Sequence, residues 1–341
     1  MLPTRIRLFR TGRGLDQRVL ARQCGLERTA LTRVESGERK VSAIELLRIA
    51  SALDTTLLDL LSQPEPTVMA AGESIVEEAT ASERAKFRAE VEIDRAWRDL
   101  QQLHECDLIE AVKFPFDARG LSSRDDARKL AKNVRRFLGV GDRPLGSMSN
   151  VAADLGLWCR TTEADIDGLS FTPEAGLGVA LIGEHLDPGR RRATVAHEIG
   201  HHVSGDTCER SSHYLRNPDA EALVDAFAAE LLLPSAVVRK NRSPSRNDMV
   251  KLAVDYRVSW SLVIASAQEA DVDLSKVDPI AIPVDNDFYG AVGHKPEEDV
   301  TPPGLASKWV MACVTAVEKC LITTGRRASE MTLGVYEVRG E

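Results

Sequence analysis

Apolar positions recur at three- and four-residue intervals along most of the chain, which predicts helices. Residues 4–61 divide into five such stretches: Thr4–Arg10, Gln17–Cys24, Glu27–Ser36, Ile44–Leu53 and Thr55–Leu61. Asp16 can cap the second, Gly25 can end it in a left-handed conformation, and Gly37 ends the third. Ile6, Leu20, Leu26, Leu31, Val34, Ile44, Leu47, Ile49 and Leu57 suffice for one small core. Two prolines within Ser62–Thr67 read as a hinge. Beyond it, Phe87, Val91, Trp97 and Leu100 form a sparse stripe that fits either a second subunit or the next domain. A further helix is predicted from Leu121 to Leu138, capped by Ser122 or Ser123, with Ala127, Leu130, Ala131, Val134, Phe137 and Leu138 on its apolar side.

The period changes at Gly176–Gly183, a short apolar run that reads as a buried strand before the turn Asp187-Pro188-Gly189. Two helical pieces follow in Asp248–Ala270. Residues 279–304, rich in Pro, Asp and Gly, read as a long surface segment. Leu305, Trp309, Cys313, Ala316 and Cys320 mark an amphipathic helix, and Thr332–Val338 a closing strand.

Composition narrows the class. The chain has 341 residues, 43% hydrophobic and 28% charged, which excludes a disordered tract and predicts two or three domains. No apolar run approaches the roughly 18 residues of a membrane span, and the N-terminus lacks a secretory pattern, so a cytoplasmic protein without membrane contact is expected. Six scattered cysteines without a CxxC pair read as reduced thiols. The net charge of −8 conceals an asymmetry: residues 1–61 hold 11 Arg and Lys against 7 Asp and Glu, leaving −12 on the remainder. A basic head on an acidic body points to a nucleic-acid module joined to something else.

Two short helices around the Gly25 turn match the helix-turn-helix plan, whose second helix enters a major groove. Leu15 to Leu61 resembles the Xre (lambda-repressor-like) family, on Gln17, Leu20-Ala21, Gly25, the Arg33-Val-Glu-Ser-Gly37 ending and the Leu-Leu-x-Ile-Ala run after it. The resemblance implies a double-stranded DNA operator as partner and a homodimer on paired half-sites. It places Arg28, Thr29, Thr32 and Arg33 toward base edges, and Gln17 and Arg39 near phosphates.

The strongest chemical signal is Thr194-Val-Ala-His197-Glu198-Ile-Gly-His201-His202. On a helix, HExxH sets His197 and His201 one turn apart on one face, where both imidazoles can bind one zinc ion. Glu198 is beside them, positioned to take a proton from water whose pKa zinc lowers from 15.7 to about 7. A zinc hydrolase needs a third ligand and an open position. The helix predicted over Pro218–Pro234 offers Glu221 and Asp225 on one face, whereas Glu230 falls opposite. Glu221 as ligand, with Asp225 accepting a hydrogen bond from a ligating histidine, is the economical assignment; Glu230 then reads as an exposed or helix-end charge. The edge of the Gly176–Gly183 strand is suited to aligning an extended peptide. Arg190, Arg191 and Arg192 read as solvated.

HEIGH paired with Asp225-Ala-Phe-Ala-Ala-Glu-Leu-Leu-Leu-Pro234 resembles the ImmA/IrrE family of metallopeptidases over about 125–270. That resemblance implies a zinc-dependent endopeptidase acting on a repressor or other protein, with His197, His201 and Glu221 as ligands and Glu198 as general base. His202 and His213 read as surface histidines, and Tyr214 as a candidate to steady an oxyanion.

The expected architecture is mostly α with a small α+β part. A five-helix lambda-repressor-like domain (1–61) precedes a linker and long helix (62–120). An HExxH zinc-peptidase-like domain with a short sheet (121–272) and a helical C-terminal extension (273–341) complete it. A second functional expectation is an antitoxin-like protein that captures a cognate toxin and represses its own promoter, a role suited to the acidic body.

Overall fold

The computed structural model describes residues 2–61, 80–116, 121–205, 218–322 and 325–335. The hinge over 62–67, Cys208, His213 and Tyr214 lie outside the described residues. Contacts divide the chain into two units, Met1–Arg95 with Ala164–Ile166, and Ala96–Glu163 with Asp167–Glu341.

The first unit contains α1 (Leu2–Gly12), α2 (Gln17–Cys24), α3 (Arg28–Glu35), α4 (Ala43–Ala52) and α5 (Leu57–Leu61), and takes α6 (Ala81–Glu105) as far as Arg95. Asp16 caps α2 by accepting from the Val19 N–H, and Gly25 ends it at φ 67°, a conformation that costs glycine nothing. Ser42 and Glu45 form a capping box on α4. The core joins Ile6, Phe9, Leu20, Leu31, Val34, Ile49 and Leu60 to Phe87 and Val91 of α6. Ile44 and Leu47 were expected inside but are 65% and 53% exposed. They lie on the outer side of α4, whose core face is filled by Leu46, Ile49 and Ala50. Asp59 anchors the unit, its carboxylate receiving the Arg95 Nε–H at 2.8 Å and the Thr56 hydroxyl at 2.7 Å. Burial works against that charge, but Arg95 and Thr56 outweigh it and hold the carboxyl at about 2.

In the second unit, α7 (Arg124–Phe137), capped by Ser123, and α8 (Met148–Asp154) precede a three-stranded sheet. Its strands are β1 (Leu157–Thr162), β2 (Gly168–Glu174) and β3 (Leu177–Gly183), in the order β1-β3-β2. β3 pairs parallel with β1 and antiparallel with β2. The Gly176–Gly183 run is therefore the central strand. Both its edges are bonded, so the peptide-aligning edge expected there does not exist; β2 is an edge strand instead. On one side of the sheet is packed α9 (Pro188–Ser204), and α10 (Pro218–Leu232) packs in turn against α9 and α7. The short α11 (Ser235–Val238) and the pair α12 (Arg246–Tyr256) and α13 (Trp260–Glu269) complete that core.

The stripe of α6 is covered within the chain: Phe87 and Val91 in the first unit, Trp97 and Leu100 in the second. Residues 279–304 are not all surface loop, since they form α14 (Asp285–Val292) and bury Asp299. α15 (Ser307–Glu318) carries Trp309, Cys313 and Ala316 inward as expected. The closing strand is absent from its described part: α16 (Gly325–Met331) is followed by a turn through Gly334. Among the described residues Cys24, Cys106, Cys159, Cys313 and Cys320 form no disulfide.

Candidate metal centre and nucleic-acid interface

Asp187 caps α9 by accepting from the Arg190 N–H, Pro188 opens its first turn, and Gly205 closes it at φ 71°. Regular helix between them brings the HExxH spacing onto one face. The imidazole Nε2 atoms of His197 and His201 stand 3.1 Å apart. Glu221 on α10 brings its carboxylate to 3.2 Å from His197 Nε2 and 3.6 Å from His201 Nε2. The helices meet this closely because residue 200 is glycine: a Cβ there would stand 2.7 Å from Val224 Cγ1 and 3.0 Å from Phe227 Cδ1.

Ligands at about 2.05 Å in a tetrahedron lie about 3.3 Å from one another. The three donors of His197, His201 and Glu221 thus fit a zinc ion, with one position left over. His197 Nδ1 donates to Asp225 at 2.8 Å, which fixes the tautomer that presents Nε2. Burial of His197 opposes its protonation, but the acceptors Asp225 and Glu221 outweigh it and push the imidazole up to about 9. Metal-free, it carries a proton that a metal must displace.

Glu198 is only 3% exposed, and its Oε2 accepts from the Ser170 hydroxyl on β2 at 2.5 Å. Gly168 lets the strand approach, since a Cβ there would lie 2.7 Å from Glu198 Oε1. Neither Ser170 nor Gly168 is singled out by the sequence, because their importance arises only when β2 crosses α9. A cavity of about 790 Å³ opens here, lined by Asp167, Gly168, Thr194, His197, Glu198 and Asp225 among others.

Three sequence expectations are corrected. His202 is buried, with Nε2 donating to the Leu155 carbonyl and Nδ1 accepting from the Thr172 hydroxyl, both at 2.8 Å. Burial, only partly offset by Leu155, pushes it down to about 4, so it is neutral with both nitrogens committed. Glu230 stands in the last turn of its helix, one of the two alternatives, but is buried rather than exposed, and accepts from the N–H and hydroxyl of Ser235 at the start of α11. Of the three arginines only Arg190 is exposed. Arg191 and Arg192 are buried, and Arg192 donates to the carbonyls of Gly146 and Leu145 and pairs with Asp299.

On α3, Arg28, Thr29, Thr32 and Arg33 are all exposed on one side while Leu31, Val34 and Glu35 face inward. Gln17 donates to Glu35 at 2.8 Å and accepts from the Thr32 hydroxyl at 3.2 Å, so it links α2 to α3. Glu35 is itself held by buried Arg10 at 2.7 Å. Arg39 pairs with Glu45 at 2.7 Å.

Comparison with known proteins gives two separate matches along the chain. Residues 6–60 match the helix-turn-helix family, and residues 156–265 match the IrrE N-terminal-like domain, a peptidase family. The chain thus joins a region similar to the helix-turn-helix family to a region similar to the IrrE N-terminal-like domain. It is also 37% identical over 65 residues to a protein of Neisseria meningitidis serogroup B (strain ATCC BAA-335 / MC58) described as a hypothetical transcription factor. The match takes in 19% of this chain and spans 61% of that relative's length.

Proposed function

We propose that this chain is a DNA-binding transcriptional regulator whose second unit is a zinc-dependent endopeptidase cutting a regulatory protein of the repressor type. The observation that carries the reading is the convergence of His197, His201 and Glu221 at tetrahedral spacing beside a buried Glu198. When bound, zinc supplies a Lewis acid for the scissile carbonyl and for the attacking water. Glu198 takes the proton of that water and delivers it to the leaving amine. Ser170 holds Glu198 in place, and Asp225 holds His197. The edge strand β2, which begins at Gly168 beside the metal centre, aligns the substrate backbone. Arg28, Thr29, Thr32 and Arg33 read base edges of a double-stranded operator, with two copies on paired half-sites. Among the described residues no helix is long and apolar enough to cross a membrane, and the proposed work at a promoter places the protein in the cytoplasm.

The test is a pull-down from host cells with wild type and Glu198→Gln, with the intact mass of each partner measured. A partner whole with the variant but shortened with wild type is the expected result. A partner uncut and equally abundant with both would overturn proteolysis. It would favour the antitoxin role, in which the acidic body captures a basic toxin.

A further inference from the structure

Helix α6 lies beyond the residues that match the helix-turn-helix family, yet its start is fitted closely to the first unit. The Phe87 ring meets Phe9 of α1 edge-on at a centroid distance of 5.6 Å, and a Cβ on Gly12 would strike it. Arg84 lies three residues before Phe87, on the same side of α6. That register sets its side chain beside the α1–α2 turn, where a Cβ on Gly14 would stand 3.5 Å from both Cδ and Nε of Arg84.

A cavity of about 470 Å³ opens at this turn, with Arg18 of α2, Arg28 of α3 and Arg84 of α6 in its wall. Among the described residues of that wall Asp16 is the one carboxylate, and it already caps α2. Arg10 also lines the cavity but is committed, donating to Glu35 and to the Leu15 carbonyl. Arg18 and Arg28 are exposed and form no ion pair among the described residues. Three guanidiniums against one carboxylate make a positive concavity, which favours an anion. The cavity is also continuous with the reading face of α3. Arg28 belongs to both, and Gln17 in the cavity wall accepts from the Thr32 hydroxyl. A duplex whose base edges meet Thr32 therefore brings its flanking backbone to the cavity mouth.

We propose that Arg84 and Arg18 grip a backbone phosphate of duplex DNA, so that α6 carries the DNA contact beyond residues 6–60. The inference rests on the DNA-binding reading above and adds to it a clamp that the helix-turn-helix region does not contain by itself. Arginine suits the task because its planar fork can meet two phosphate oxygens at once. Such a contact holds the protein in register and is indifferent to base sequence.

Because the contact is indifferent to sequence, the experiment needs no known operator. The full chain is titrated onto a fluorescein-labelled duplex of arbitrary sequence, about 30 base pairs long, and anisotropy is read between about 50 and 200 mM KCl. Each phosphate neutralised contributes about 0.9 to the slope of log K against log salt. Arg84→Gln is expected to flatten the slope by that amount, and so to weaken binding about eightfold at 0.1 M salt. Arg84→Lys keeps the charge and is expected to keep the slope. Arg88→Gln, on the same helix but outside the cavity wall, is expected to leave it unchanged. A slope unaltered in Arg84→Gln while wild type binds overturns the clamp and leaves the DNA reading standing. A wild type that does not bind the duplex overturns both. A loss in Arg84→Lys or Arg88→Gln equal to that in Arg84→Gln assigns the effect to structure or to net charge and overturns the clamp. Inorganic phosphate titrated into the chain without DNA, followed by calorimetry, is expected to show no saturable binding. Saturable binding that Arg84→Gln abolishes would give the cavity to a free phosphate and overturn the duplex assignment.

Discussion

The helices α3 and α9 both carry the polar residues of a candidate site, yet they hold them in opposite ways. On α3, Arg28, Thr29, Thr32 and Arg33 stand in solvent, and the buried polar work is done behind them by Arg10, Glu35 and Gln17. On α9 the chemically important groups are themselves enclosed: Glu198 and His201 are 3% and 2% exposed. Duplex DNA brings its own ordered acceptors, so a reading face can remain loose until it is filled. A metal site has to be assembled beforehand, because each donor must converge within a few tenths of an ångström.

The contrast can be broken first at its buried ionic support. Arg10→Met leaves Glu35 without its guanidinium in a dry setting, and such a loss costs about 3–5 kcal/mol. Denaturant unfolding should show the first unit melting early, with zinc binding in the second unit intact. Next, Asp225→Ala should weaken zinc binding by roughly 10- to 100-fold while leaving the ligands in place, read by competition with a chromophoric chelator. Acid sharpens the picture. Asp59 is held at about 2 against an ordinary value of 3.8, so its contribution of about 2 kcal/mol is complete above pH 3.8. It fades as the pH falls through about 2. Asp59→Asn should flatten that part of the stability curve in an unfolding series from pH 5 to 2. Smallest is Arg33→Ala, expected to weaken operator binding by roughly 1–2 kcal/mol in a gel-shift titration. Wild-type affinity in that variant would remove Arg33 from the reading face.

What the sequence revealed depended on how far apart the interacting residues lie along the chain. His197, Glu198 and His201 share a single turn of helix, and Glu221 and Asp225 another, so spacing alone places them on faces. The α2–α3 turn was legible for the same reason. β1 and β2 were not: β1 is buried on both faces, which erases alternation, and Gly168–Glu174 mixes glycine and proline with its apolar residues. Ser170 meets Glu198 only after strand and helix cross. Arg192 looks like one of three surface arginines until Asp299, 107 positions later, reaches it. His202 reads as a surface residue because a helical period does not reveal that Thr172 and Leu155 enclose it.

Gly200 ties two free energies into one. The missing side chain lets α9 and α10 touch where a Cβ would strike Val224, and Glu221 lies one turn earlier on that same helix. On the proposed metal binding, an ion gripped from both helices would strengthen the very seam that the glycine makes narrow, so that loading and docking would reinforce each other. A methyl group at position 200 would never meet the ion. It would nonetheless register as a weaker chelate and a lower melting temperature, two symptoms of a single widened gap.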